Sequence, residues 1–194
     1  HMIMPDVFIP IAEENHLIEQ LDELIFKKVC IFLNNNNVEE YGIDYLEVNL
    51  SVLSLEIEDA SGRYLSFLKR YKIPSKLLNI EITETANISN TEMVQKNVRK
   101  LREAGITFSL DDFGNGKRAI RDIREIPVDI VKFDATMINA CYLSEHVYHI
   151  ITMLIRMIHE LGMKVVAEGV EDKKMFDRME QAKADYIQGF YLSR

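Results

Sequence analysis

Seven polar residues stand out because each falls at or near the carboxyl end of a segment that otherwise reads as a buried strand. They are Asn49, Glu81, Asp111 with Asp112, Lys132, Glu168 and Gln188. In a parallel strand covered on both faces the side chains should be apolar, and an unpaired buried charge is strongly disfavoured. Successive members of the set lie 20 to 36 residues apart, the length of whole strand–helix repeats. The carboxyl ends of all strands in a parallel sheet or barrel share one rim, so side chains this distant in sequence can converge. The set offers four carboxylates, two side-chain amides and one lysine, with no histidine or thiolate. Hard oxygen donors suit Mg²⁺ or Mn²⁺, whereas Zn²⁺ favours His or Cys. Carboxylates crowded together repel unless cations lie between them, which argues for two ions. Two divalent ions a few ångström apart are the usual device for in-line attack of water on a phosphodiester.

Each residue alone has a plainer reading. Asp111-Asp112 before Gly114 fits a turn, Asn49 a cap, Lys132 a side chain reaching to solvent, and Gln188 a structural amide. Glu81 and Glu84 fit a solvated edge, against which the flanking Ile80 and Ile82 argue. Six such coincidences at equivalent strand ends favour a site. Rival motifs fail: Gly114-Asn-Gly116-Lys117 has Asp111 and Arg118 where a phosphate loop needs Gly and Ser or Thr, and no dinucleotide fingerprint is present. His146 and His149 share a helix face without a third ligand, which fits a surface or packing role.

The elements that must position these residues alternate. Strands are expected at Tyr45–Ser51, Leu78–Thr83, Ile106–Asp112, Val128–Phe133, Lys164–Ala167 and Tyr186–Phe190. One helix opens at Pro10 and carries Ile11, Leu17, Ile18, Leu21, Leu24, Ile25 and Val29 before the Asn34–Asn37 turn. Others span Ala60–Tyr71, a stretch opened by a Ser89/Glu92 capping box, a short segment with Ile120 and Ile123, a long helix with Val147 through Leu161, and Asp172–Ala182. Met137, Met153, Met157 and Met163 fit core filling. Strand–helix alternation selects an α/β fold with a mainly parallel sheet, doubly wound or closed as a barrel.

The 194 residues are 47% hydrophobic and 28% charged, a profile of one globular domain. A net charge of −8 argues against a broad grip on DNA and requires cations or a local lysine for an anionic substrate. Cys30 and Cys141 make neither a disulfide framework nor a zinc cluster, which suggests a reducing, cytoplasmic compartment. No apolar run is long enough to cross a membrane within this segment. His1–Met2 reads as a cloning remnant.

Several motifs, in order along nearly the whole chain, resemble the EAL-domain family of bacterial cyclic di-GMP phosphodiesterases. They are Phe8-Ile-Pro-Ile-Ala-Glu-Glu14, Val48-Asn-Leu-Ser51, Glu81-Ile-Thr-Glu84, Asp111-Asp-Phe-Gly114, Val128-Asp-Ile-Val-Lys-Phe-Asp134, Val166-Ala-Glu-Gly-Val-Glu171 and Gln188-Gly-Phe-Tyr191. The resemblance implies a TIM-like (β/α) barrel of the EAL type over residues 3–194. About six of its eight strands would be present, the N-terminal strands and the Glu-Ala-Leu signature being missing. It implies metal ligation by Asn49, Glu81, Asp111, Asp112 and Glu168. Catalytic roles would fall to Lys132 near the attacking water, to Glu168, and to Glu84 anchoring the loop after Asp112, while Gln188 would line the substrate site. The implied reaction is Mg²⁺- or Mn²⁺-dependent hydrolysis of cyclic di-GMP to the linear dinucleotide pGpG. Implied partners are a homodimer mate and GGDEF or sensory domains of a larger signalling protein. The loop Gly114-Asn-Gly-Lys-Arg-Ala119 departs from the family, where Thr follows the first Gly, and an aromatic and serines follow the second. That departure, with the missing signature glutamate, keeps open a degenerate cyclic di-GMP receptor or a protein-interaction module.

Overall fold

The computed structural model describes residues 3–83, 88–114, 123 and 125–193. It divides into two compact units, His1–Phe108 with Glu125–Pro127, and Ser109–Arg124 with Val128–Arg194. Strand β3 runs from the first into the second.

The first unit opens with α1 (Pro5–Glu14) and α2 (Ile18–Asn35), followed by β1 (Leu46–Asn49), α3 (Val52–Leu55), α4 (Ala60–Tyr71), β2 (Leu78–Thr83) and α5 (Thr91–Glu103). Two helices thus stand where the sequence suggested one. The first-turn proline is Pro5, Pro10 lies inside α1, and the chain breaks at Asn15–Leu17. His16 adopts a left-handed φ of 56°, which ends a helix because the next turn cannot form. In α2 the buried stripe is Ile18, Asp22, Phe26, Cys30 and Leu33, so the expected core positions Leu24 and Ile25 face outward. A helix apolar on most of its circumference does not declare its core face by period. Contact with α4 decides it: the Phe26 and Tyr64 rings lie 4.8 Å apart.

Strands β1 and β2 pair in parallel, with Leu46 opposite Leu78 and Asn49 opposite Glu81. The fully buried Asn79 donates to Thr107 Oγ1 at 2.9 Å and so ties β2 to the start of β3 (Thr107–Phe113). Buried Asn97 of α5 donates to the carbonyls of Leu55 and Ile57, both at 2.9 Å, and accepts from Ser61. The expected capping box at Ser89 is replaced by Asn90, whose side chain accepts from Met93 N. Ser89 instead donates its hydroxyl to Glu56 at 2.8 Å, a tertiary partner that local sequence does not reveal.

The second unit carries the rest of β3, then β4 (Ile130–Phe133), α6 (Ala135–Leu143), α7 (Glu145–Glu160), β5 (Lys164–Ala167), α8 (Lys173–Gln181) and β6 (Tyr186–Ile187). Its strands pair in parallel in chain order, β3 to β4, β4 to β5 and β5 to β6. The helices begin at Asp134, Ser144 and Asp172, whose side chains each accept an amide of the first turn. Phe113 and Phe133 stack with centroids 5.4 Å apart. Of the methionines assigned to the core, Met153 is exposed and Met137, Met157 and Met163 are half-buried, while Met175 and Met179 are buried. Cys30 and Cys141 are free, buried thiols. No helix among the described residues is long and apolar enough to cross a membrane.

Candidate active site

In the first unit Asn49 is the last residue of β1 and the register partner of Glu81. The exit of β1 is bonded to β2 once more, through Leu50 N–H and the Glu81 carbonyl at 2.9 Å. Glu81 is 6% exposed, so its place in the interior of β2 is that of a retained buried carboxylate rather than a solvated edge. Beside this pair lies a groove of about 390 Å³, walled by Phe8, Ile18, Asp22, Ile25, Asn49, Ser51 and Thr83 among others. Asp22 was not singled out from the sequence. Its signal was there: a carboxylate four residues from both Ile18 and Phe26 on an apolar stripe.

In the second unit Lys132, penultimate in β4, is 3% exposed. Its ammonium Nζ lies 2.8 Å from Glu168 Oε1 and 3.8 Å from Asp111 Oδ1. The lysine therefore does not reach solvent but joins two strand-end carboxylates. Asp111 Oδ1 is buried and accepts no hydrogen bond among the described residues. Burial pushes the Glu168 carboxyl above its ordinary range, opposed by the hydrogen bond and charge of Lys132, with Asp111 and Asp112 adding to the rise. In a regular strand Asp111 and Asp112 would point to opposite faces. The β3–β4 register shifts between Leu110 and Phe113, and Asp112 takes a left-handed φ of 56°. Aspartate tolerates that conformation better than most residues, and such irregularities re-aim side chains at strand ends. Both carboxylates remain half-buried.

The ladder continues past the last strands: Glu168 N–H donates to Phe133 O at 3.1 Å, and Gln188 N–H to Ala167 O at 2.9 Å. Glu168 and Gln188 share a cavity of about 800 Å³ with Asp134, Glu171 and Phe190. Asp134 and Glu171 lie within recognised motifs but were not named as site residues. Gly169 makes the turn after Glu168: its φ is 68°, and a Cβ there would stand 2.4 Å from the Ala135 Cβ. Glu84 and loop residues 115–119 lie outside the described residues, as does Ile120.

The donors are of the kind a hard divalent cation takes, and Asp111 offers a buried oxygen with no hydrogen-bond donor among the described residues. Among the described residues no three His, Cys, Asp or Glu side chains are gathered as a metal site. Exposed His146 and His149 are included in that statement.

The EAL domain family model matches residues 1–194. The chain belongs to the EAL domain family. It is 31% identical over 193 residues to the cyclic di-GMP phosphodiesterase PdeB of Shewanella oneidensis, covering all of this chain and 22% of that protein. It is 29% identical to the cyclic di-GMP phosphodiesterase NbdA of Pseudomonas aeruginosa, covering all of this chain and 25% of the relative. The EAL chain thus spans about a quarter of the length of these curated relatives. Among solved structures, the PaMucR phosphodiesterase in complex with c-di-GMP superposes with a TM-score of 0.85 at 26% identity, covering 99% of this chain and 78% of that one. The FimX EAL domain of Pseudomonas aeruginosa bound to c-di-GMP gives 0.87 at 22% identity, covering 100% and 77%, a likeness of fold. The expected EAL barrel fold, with six of its strands among the described residues, is thereby established.

Proposed function

We propose that this EAL domain hydrolyses one phosphodiester of cyclic di-GMP to give pGpG, with two Mg²⁺ or Mn²⁺ ions. The observation that carries the reading is the buried Lys132 ammonium bracketed by Glu168 at 2.8 Å and Asp111 at 3.8 Å, with Asp111 Oδ1 accepting no hydrogen bond among the described residues. Asn49, Glu81, Asp111, Asp112 and Glu168 would hold the ions. When bound, the ions would supply Lewis-acid polarisation of the phosphoryl oxygens and a water of lowered pKa.

The chain's own groups do the rest. Lys132 Nζ, with three protons and no acceptor capacity, orients the attacking water and meets negative charge growing on the phosphoryl group. Its burial keeps that charge in a low dielectric, where it acts strongly. Glu168 fixes the ammonium through their contact, and by the family resemblance Glu84 would anchor the loop after Asp112. Gln188, on the wall of the 800 Å³ cavity, offers an amide to the dinucleotide. GGDEF or sensory domains, a homodimer mate and a cytoplasmic setting belong to the same proposal.

A second reading, a receptor that binds cyclic di-GMP without cleaving it or an interaction module, draws on the loop Gly114-Asn-Gly-Lys-Arg-Ala119, which departs from the family pattern. One experiment separates them: the full-length protein carrying this domain is incubated with cyclic di-GMP and Mn²⁺, and products are resolved by anion exchange. Metal-dependent pGpG, lost on adding EDTA, is the expected result. Binding without pGpG would transfer the assignment to the receptor, and no binding would leave the interaction module.

A further inference from the structure

Asp22 is the one charged residue on the buried stripe of α2, and it is 3% exposed. Its Oδ2 accepts from the Ser51 backbone N–H at 2.9 Å and from the Ser54 hydroxyl at 2.6 Å. Glu13, near the end of α1, accepts from the Ser51 hydroxyl at 2.8 Å. Ser51 follows Asn49 by two residues, and Leu50 between them donates its N–H to the Glu81 carbonyl at 2.9 Å. Consecutive amides after Asn49 are therefore bonded to different elements, Leu50 to β2 and Ser51 to α2.

An apolar residue would complete the α2 stripe without the cost of desolvating a carboxylate. Capping of α3 does not explain the aspartate either, because Ser51 Oγ already accepts from Leu53 N at 3.4 Å. What Asp22 adds is a fixed partner for the amide that follows the strand end. We infer that Asp22 is a positioning residue for Asn49, setting the exit of β1 so that the Asn49 amide stands in register with Glu81. The inference rests on the proposed metal-dependent reading of that pair and names a residue outside it. Groups that hold a metal-site residue in orientation commonly alter metal affinity or activity by about 10- to 100-fold when removed.

The test compares wild type with Asp22→Ala, Asp22→Leu, Asp22→Asn and Ser54→Ala, measuring Mn²⁺ dissociation constants, kcat and KM for cyclic di-GMP, and thermal midpoints. D22A and D22L are expected to weaken Mn²⁺ binding and lower kcat by about tenfold or more. D22L keeps the stripe apolar and carries the test where D22A fails to fold. D22N, whose amide oxygen can still accept from Ser51, should stay within about threefold of wild type. S54A removes the other bond to the same oxygen, so it should lower the thermal midpoint while leaving Mn²⁺ affinity and kcat near wild type. Wild-type Mn²⁺ affinity in D22L, or equal functional losses in S54A and D22L, would overturn the assignment. A wild type that binds Mn²⁺ without cleaving cyclic di-GMP defeats the phosphodiesterase reading alone, and the Mn²⁺ affinities of the variants then decide. A wild type that binds no Mn²⁺ overturns the assignment as well.

Discussion

Lys132 on β4 and Glu168, the residue that follows β5, hold each other at 2.8 Å with the lysine almost wholly enclosed. Neither side chain could be replaced alone without stranding the other. Breaking a buried pair from one side costs several kcal/mol, far more than an exposed pair is worth. Lys132→Met should therefore lower unfolding free energy by about 3 kcal/mol in urea titrations. In a Glu168→Gln background the same change should cost clearly less, because the carboxylate closest to the ammonium is then no longer left behind. Equal costs in the two backgrounds would remove the pair from the account of stability. K132M should also lower pGpG formation by about a hundredfold or more through loss of the ammonium.

Asp111 presents the reverse case. Its Oδ1 is buried without a hydrogen-bond donor among the described residues, and the Lys132 ammonium lies 3.8 Å away. Asp111→Asn keeps the shape and deletes a charge from a neighbourhood that also holds Glu168 and Asp112. We expect metal-free D111N to unfold no earlier than wild type, while the rise in thermal midpoint on adding Mn²⁺ disappears and turnover falls by about a hundredfold. Glu81→Gln should behave alike in turnover. Collapse of both variants in circular dichroism would instead give these carboxylates a structural role.

The strand framework and the strand-end residues were legible because burial and charge conflict visibly there. β2 and β5 fall where the pattern put them, and all six strands occur in the expected order. Helix faces were less legible. In α2, Leu24 and Ile25 are as apolar as Phe26, and only contact with Tyr64 selects the buried side. The cap at Asn90 was hidden because Ser89 has the right type but is engaged by Glu56. The register shift at Asp112 left no sequence signal beyond the tolerance of aspartate for positive φ.

Gly169 is fixed by two independent constraints. Its φ of 68° is strained for a side chain, and an added Cβ would meet the Ala135 Cβ at 2.4 Å and Cα at 3.1 Å. Gly169→Ala should cost about 2 kcal/mol or more. Because Glu168 is the preceding residue, the variant should lose turnover beyond what its stability loss explains. Activity assayed well below its thermal midpoint tests this, and full activity there would separate the turn from the site.

The last prediction concerns pH and Asp22. Burial pushes its carboxyl from 3.8 up to about 6, against the hydrogen bonds from Ser54 and Ser51, with the nearby Glu13 charge adding to the rise. The folded chain therefore keeps this proton at pH values where the unfolded chain has released it. The sign follows: the favourable contribution of Asp22 is complete below about 4 and is lost as pH rises through about 6. Its full size is on the order of 2–3 kcal/mol. Other carboxylates titrate over the same range, so the measurable quantity is the difference between wild type and D22N. Urea midpoints taken from pH 4 to pH 7 should show wild type losing ground to D22N as pH rises, most steeply between about 4 and 6. A difference that is flat across this range would mean that the Ser51 and Ser54 bonds offset the burial of the charge.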